Sequence, residues 1–161
     1  MPQKPQKHLR IYFEGGGDTA DRKAKLRQGM DGFLKPLKDM ARRQRSRWTL
    51  TPCEGRSETW KAFQNALKHH AGSINILLVD SEDPVTAPDP KQHLAQRNSD
   101  AWPMSGIAVE HVHLMAQCME TWIVADPEAL TRYYGQKFQA SALPNRQNLE
   151  EEPKPQISAA L

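Results

Sequence analysis

The segment Ile74 to Val79 (INILLV) constrains this chain more than any other. Its near-continuous apolar run is bounded by Gly72 on one side and by Asp80 and Pro84 on the other, which predicts a short strand buried on both faces. Such a strand belongs at the centre of a parallel sheet, and a parallel sheet needs helical crossovers before and after it. Around it the sequence supplies them. Leu9 to Phe13 (LRIYF) reads as a strand closed by Gly15, Gly16 and Gly17. Asp18 or Thr19 can cap a following helix that carries Leu26, Met30, Phe33, Leu34, Leu37 and Met40 at helical spacing, kinked or split at Pro36. Trp48 to Thr51 is a second strand closed by Pro52, and Trp60, Phe63, Ala66 and Leu67 form the next helical face, with Ser57 as its expected N-cap.

Beyond Asp80 the pattern loosens. Pro84, Pro88, Pro90, Trp102 and Pro103 mark a long irregular passage, interrupted at most by a short helix around residues 91–96, and a loop of that size is usually functional or mobile. Val109 to Met115 is the fourth strand expected, Met119 to Val124 a helix, and Asp126-Pro127 the cap and first residue of another. The expectation is an α/β fold with a mostly parallel central sheet and helices on both faces. Its divisions are an N-terminal tail at 1–8, a domain at 9–144, and a polar connector with the start of a helix at 145–161.

A chain of 161 residues is about one domain, and a hydrophobic fraction of 38% with 25% charged residues suits a soluble globular protein. The polar, basic start (MPQKPQKH) offers no apolar stretch for a signal peptide, and no apolar run is long enough to span a membrane, so the chain reads as cytoplasmic. Cys53 and Cys118 stand in no metal-binding spacing and read as free thiols, Cys118 buried. Net charge is only +3, yet ten Lys and Arg fall between Arg22 and Arg47 against two acids. That stretch is either a solvated helix face or a surface for nucleic-acid phosphate.

The acids at the strand ends carry the chemistry. Glu14 ends the first strand, and Asp80-Ser81-Glu82 ends the strongest one, at the edge of an α/β sheet where sites form. The one-residue spacing turns both carboxylates of the later pair to one side of an extended segment. Crowded carboxylates suit a shared hard cation, Mg²⁺ or Mn²⁺; the alternative is ordinary turn chemistry around Asp83-Pro84. Gly15 and Gly16 either admit a phosphate close to the backbone or simply make a tight turn. Arg56 either reaches substrate phosphate or forms a surface ion pair. His111 and His113 are expected to share one strand face, and pairing with an acid or phosphate suits them better than metal ligation. Trp102 and Trp122 read as core or loop anchors rather than base-stacking platforms.

Glu14-Gly15 after LRIYF, with Asp80-Ser81-Glu82 after INILLV, resembles the Toprim signature of topoisomerases, primases and OLD-type nucleases. The segment VHLMAQCMETWIVADPEAL is similar to small prokaryotic Toprim-like proteins, including the RloB-like group, encoded beside ABC-type ATPases in phage-defence loci. The resemblance runs from about Leu9 to Tyr134. It departs from the signature in having Glu82 where an aspartate is commoner. The closing ISAAL reads as a helix start where relatives continue, which suggests a shortened or split protein.

The resemblance implies a Mg²⁺- or Mn²⁺-dependent nuclease acting on DNA or RNA. Glu14, Asp80 and Glu82 would be its metal ligands, and Glu120 a fourth catalytic carboxylate or only a helix-start acid. Gly15, Gly16, Arg56 and His113 would stand toward substrate phosphate. It also implies a separate ABC-type ATPase as partner, since the chain has no GxxxxGK[ST] motif, and it is compatible with an oligomer and with no membrane. A non-catalytic binding or sensor subunit and a small-phosphoester hydrolase are the competing functions.

Overall fold

The computed structural model describes residues 7–145 and 147–161. Most of the tail expected at 1–8 lies outside the described residues, and His8 already belongs to the first strand. Four strands, β1 (His8–Glu14), β2 (Arg47–Cys53), β3 (Ile74–Asp80) and β4 (Val112–Met115), form one parallel sheet in the order β2-β1-β3-β4, with helices around it. This is the α/β arrangement the sequence predicts. β3 is central as its apolar run requires, and Leu77, Leu78 and Val79 are buried. β2 lies at an edge, which is why Pro52 can sit inside it without breaking a ladder.

The chain packs as two compact units, one comprising residues up to Val79 with Glu110–His113, the other Asp80–Val109 with Leu114–Leu161. In the first, β1 pairs with β2 from His8↔Arg47 to Glu14↔Cys53 and with β3 from Leu9↔Ile74 to Phe13↔Leu78. Helix α1 (Ala20–Phe33) is capped by the Thr19 hydroxyl, which accepts from the Arg22 N–H at 3.3 Å. The helix ends at Leu34 and α2 (Lys35–Arg43) begins with Pro36 in its first turn, so the proline splits the pattern as expected. The packing differs from the periodicity. Of the apolar residues on this pair, Met30 is buried while Phe33, Leu37 and Met40 are exposed. Helix α3 (Arg56–His69) buries Trp60, Phe63 and Ala66, and its N-cap is Gly55 rather than Ser57.

Asp31 ties α1 to its neighbours. Its carboxylate accepts from Lys38 Nζ on α2 and from Trp48 Nε1 on β2, the latter at 3.0 Å. The hydrogen bond from Lys38 holds its carboxyl below the usual range; burial opposes this and Trp48 adds to it. A depressed carboxylate adds stability above its unfolded pKa, about 3.9, and loses it as pH falls through the folded value. Asp31→Asn should therefore cost about 1 kcal/mol near neutrality, a figure discounted for the third of the side chain that meets solvent. It should also flatten the acid limb of a stability-versus-pH curve measured by urea unfolding. An unchanged acid limb would remove this clamp from the account.

The turn after β1 needs its glycines. Gly15, Gly16 and Gly17 have φ of 125°, 94° and 60°, where residues with a Cβ are strained. A Cβ on Gly16 would also lie 3.2 Å from Lys23 Cα, whereas one on Gly17 would first meet only the flexible Arg22 side chain at 3.4 Å. Gly16→Ala is expected to cost about 2 kcal/mol and Gly17→Ala about 1 kcal/mol by denaturant unfolding. Equal costs would mean that contact with Lys23 plays no part.

In the second unit, α4 (Pro90–Gln96) is the short helix expected within the irregular passage, capped by Asp89 and burying His93 and Leu94. Helices α5 (Met119–Val124) and α6 (Pro127–Tyr134) fall where the sequence places them, and the Asp126 side chain accepts from the Ala129 N–H at 2.9 Å. The fourth strand is shorter than expected, because Val109–His111 closes into a 3₁₀ turn before β4. Residues read as connector join this unit's core. Ile157 of α7 (Lys154–Ala159) is fully buried with Cys118 and Val124, against Leu143 and Leu149. Cys53 and Cys118 are free, buried thiols, and burial pushes both pKa values up. Among the described residues no helix is long and apolar enough to cross a membrane.

Candidate metal centre

Two parallel neighbours set the position of the acids. With Phe13 paired to Leu78, β1 and β3 end together, and Glu14 and Asp80 are their last residues. Glu14, Asp80 and Glu82 each present one carboxylate oxygen within 4.8 Å of the other two. The three residues named from the sequence are thus brought together. Hard oxygen donors at this spacing are the ligand type that Mg²⁺ and Mn²⁺ take.

The Asp80-Ser81-Glu82 segment is braced on several sides. The Ser81 N–H donates to Met115 O and the Glu82 N–H to Gln117 O, both at 2.9 Å. His93 Nε2 lies 2.9 Å from the Ser81 carbonyl, which also accepts from Arg97 at 3.1 Å. Arg97 in turn pairs with Asp83, and with Asp100 at 2.7 Å. The irregular passage therefore supplies, through α4 and Arg97, the clamps that fix the acidic turn. Glu82 sits at φ 65°, a left-handed conformation costing a non-glycine about 1 kcal/mol. Strain of this kind concentrates where geometry serves a site.

The cation between Asp80 and Glu82 is Lys154. Its Nζ donates to Asp80 Oδ2 at 3.1 Å and to Glu82 Oε1 at 2.8 Å. It arrives there because Ile157, three residues along α7, is fully buried, and a spacing of three puts both side chains on one helix face. Asp80 Oδ1 accepts from the Met119 N–H at 3.0 Å, so Asp80 also holds the start of α5.

Asp80 and Lys154 are shifted in the same direction, which a simple ion pair does not do. Burial pushes the Asp80 carboxyl up; Lys154 pulls it back, and Glu82 and Glu120 push it further. Burial also opposes the Lys154 charge, but the hydrogen bonds to Glu82 and Asp80 outweigh it and raise the ammonium pKa. Burial acts on both groups, and the hydrogen bonds to Lys154 offset it only in part for Asp80 while they outweigh it for the lysine.

The other residues named from the sequence are distributed as follows. Glu120 lies in the first turn of α5, and Asp80 feels its charge, but it is not one of the three converging carboxylates. Arg56, at the start of α3, pairs with Glu14 at 3.3 Å, with both side chains largely buried. Of the two alternatives for Arg56, an ion pair does form, but internally rather than at the surface, and it holds a candidate ligand. His111 lies in the 3₁₀ turn, with Nδ1 2.6 Å from Asn75 O, so it does not share a strand face with His113. His113 is exposed on β4, with Nε2 3.0 Å from Glu110 O. Gly15 and Gly16 form the positive-φ turn after Glu14. Trp102 is buried, as befits a loop anchor.

Sequence reading missed Lys154, His93 and Arg97. Lys154 stands in the polar run EEEPKPQ, which looks solvated, and only the buried Ile157 at helical spacing hints that one face turns inward.

Comparison with known families matches residues 13–161 to a domain of unknown function, DUF4276. No curated protein and no solved structure matches the chain.

Proposed function

The chain belongs to the DUF4276 family, and we propose that it is a metal-dependent nuclease hydrolysing phosphodiesters of DNA or RNA. The observation that carries this reading is the convergence of Glu14, Asp80 and Glu82 at the ends of neighbouring strands. Asp80 and Glu82 would hold Mg²⁺ or Mn²⁺. Asp80 has one oxygen engaged by Met119 N–H and the other by Lys154, and exchange of Lys154 for a metal would give it a ligand's role. Glu14, oriented by Arg56, is the carboxylate suited to complete the ligand set or to take a proton from an attacking water. When bound, the metal supplies charge that polarises the phosphodiester and stabilises the leaving oxygen. Lys154 would leave the two acids as the metal arrives, and its ammonium would then be free to face phosphate.

The Toprim resemblance supports a separate ABC-type ATPase as partner, an antiviral-defence setting and a cytoplasmic location. A second reading, a non-catalytic binding or sensor subunit, is favoured by Lys154 itself, whose ammonium already spans Asp80 and Glu82. Incubating the protein with plasmid DNA, RNA and p-nitrophenyl phosphate, with Mg²⁺, Mn²⁺ or EDTA, separates the functions. The proposal expects metal-dependent cleavage of a nucleic acid. Turnover of the small ester alone would make the chain a phosphoesterase, and no turnover, even with the ATPase added, would favour the binding subunit.

A further inference from the structure

The basic stretch between Arg22 and Arg47 folds into something more specific than a charged helix face. Helices α1 and α2 and the edge strand β2 enclose an open cleft of about 770 Å³, lined among others by Arg27, Gln28, Asp31, Lys38, Arg42 and Trp48. Its one acid is already committed, since Asp31 accepts from both Lys38 and Trp48. Arg27 has no ion-pair partner among the described residues, and Arg42 reaches only Asp39, at 3.8 Å on the exposed side of α2. Two exposed guanidinium groups therefore line the cleft, Arg27 without an ion pair among the described residues and Arg42 with only the longer contact to Asp39. Gln28 and Ser46 add neutral polar groups, while the Thr49 hydroxyl already bonds His8 at 2.8 Å.

From this arrangement we infer that the cleft between α1, α2 and β2 is a binding track for a nucleic-acid backbone, with Arg27 and Arg42 as its phosphate contacts. Guanidinium forks match phosphate oxygens in pairs, and hydroxyl and amide donors are the usual supplements. Ten basic residues against two acids over this stretch supply the long-range attraction that a polyanion requires. Trp48 is held at the cleft wall by its Nε1 bond to Asp31, so the indole is fixed rather than free to intercalate, and recognition would be of backbone rather than of base. The choice of nucleic acid as the partner rests on the phosphodiester reading above, whereas the cleft is a separate feature of the first unit.

The test is binding without catalysis. A fluorescein-labelled single-stranded oligonucleotide and its duplex are titrated by anisotropy in EDTA over a series of salt concentrations. The probes are mixed with the parent protein, Arg27→Ala, Arg42→Ala, the double variant, and a control, Lys61→Ala, which removes an exposed charge on α3. Thermal melts confirm that each variant is folded. The double variant should bind about tenfold more weakly, and its slope of log affinity against log salt should be smaller by about one to two. The control should change neither. Equal loss in the control and the double variant would overturn the inference, as would parental affinity in the double variant. Displacement of the oligonucleotide by poly-glutamate of matched charge at equal concentration would also overturn it, by making the cleft a site for acidic chains in general. Because the readout contains no metal, its failure leaves cleavage by the parent protein as a separate result, and loss of cleavage leaves this binding untouched.

Discussion

Asp80→Asn is expected to abolish Mg²⁺-dependent cleavage while leaving the fold as stable as before, or slightly more so. Asparagine keeps an oxygen to accept the Met119 N–H at the start of α5, so the structural contact survives. What disappears is the negative charge that a metal needs and that burial already penalises. Residues behind a metal ligand typically cost about 10–100-fold in activity or affinity when changed, so loss of a direct ligand should exceed that range. Alanine is the poorer probe, because it also strands the Met119 donor and mixes the two effects. Cleavage rate and melting temperature measured on the one variant decide the matter. Unchanged cleavage with lowered stability would make Asp80 a helix-holding residue and nothing more.

Lys154→Met should have the next largest effect, in opposite directions with and without metal. Without divalent ions, Asp80 and Glu82 lose their ammonium and face one another unshielded. The pair is partly solvated, so the loss is about 1 kcal/mol, or about 2–4 °C in melting temperature. With Mn²⁺ present the competitor is gone, and half-maximal thermal stabilisation should come at about tenfold lower metal concentration, equivalent to about 1.4 kcal/mol. Methionine retains the length and apolar stem of lysine and leaves Ile157 in its place. A melting temperature that falls equally with and without Mn²⁺ would show that Lys154 only braces α7.

Much of this was legible in the sequence because the signals were local. The apolar run from Ile74 to Val79 announces a central strand, and a strand's last residue is fixed once its apolar run ends, so the sequence alone places Glu14 and Asp80 at sheet ends. Pro127 gave a helix start and Pro36 a break in the pattern for the same reason: a missing N–H is tolerated only in a first turn. Tertiary choices were not legible. Periodicity put Phe33, Leu37 and Met40 on an inward face, but the structure leaves them exposed, because spacing shows which residues share a face and not what covers it. The acid partners of Arg56 and Lys154 were not legible, since a long basic side chain acquires its partner only when folding brings an acid to it. The passage after Asp83 read as irregular, yet it supplies His93 and Arg97 as clamps, a function carried by two side chains that touch one carbonyl.

Whether Glu14, Asp80 and Glu82 hold a divalent cation can be seen directly. A crystal of the protein soaked in Mn²⁺, with anomalous differences collected at the manganese edge, tests it most directly. The account predicts one peak bonded to Asp80 and Glu82 oxygens at about 2.1–2.2 Å, slightly longer than the ~2.0–2.1 Å of Mg²⁺, with Glu14 bound directly or through water. Lys154 Nζ should then have withdrawn from both carboxylates. A map with no peak there, and with Lys154 still spanning Asp80 and Glu82, would contradict it.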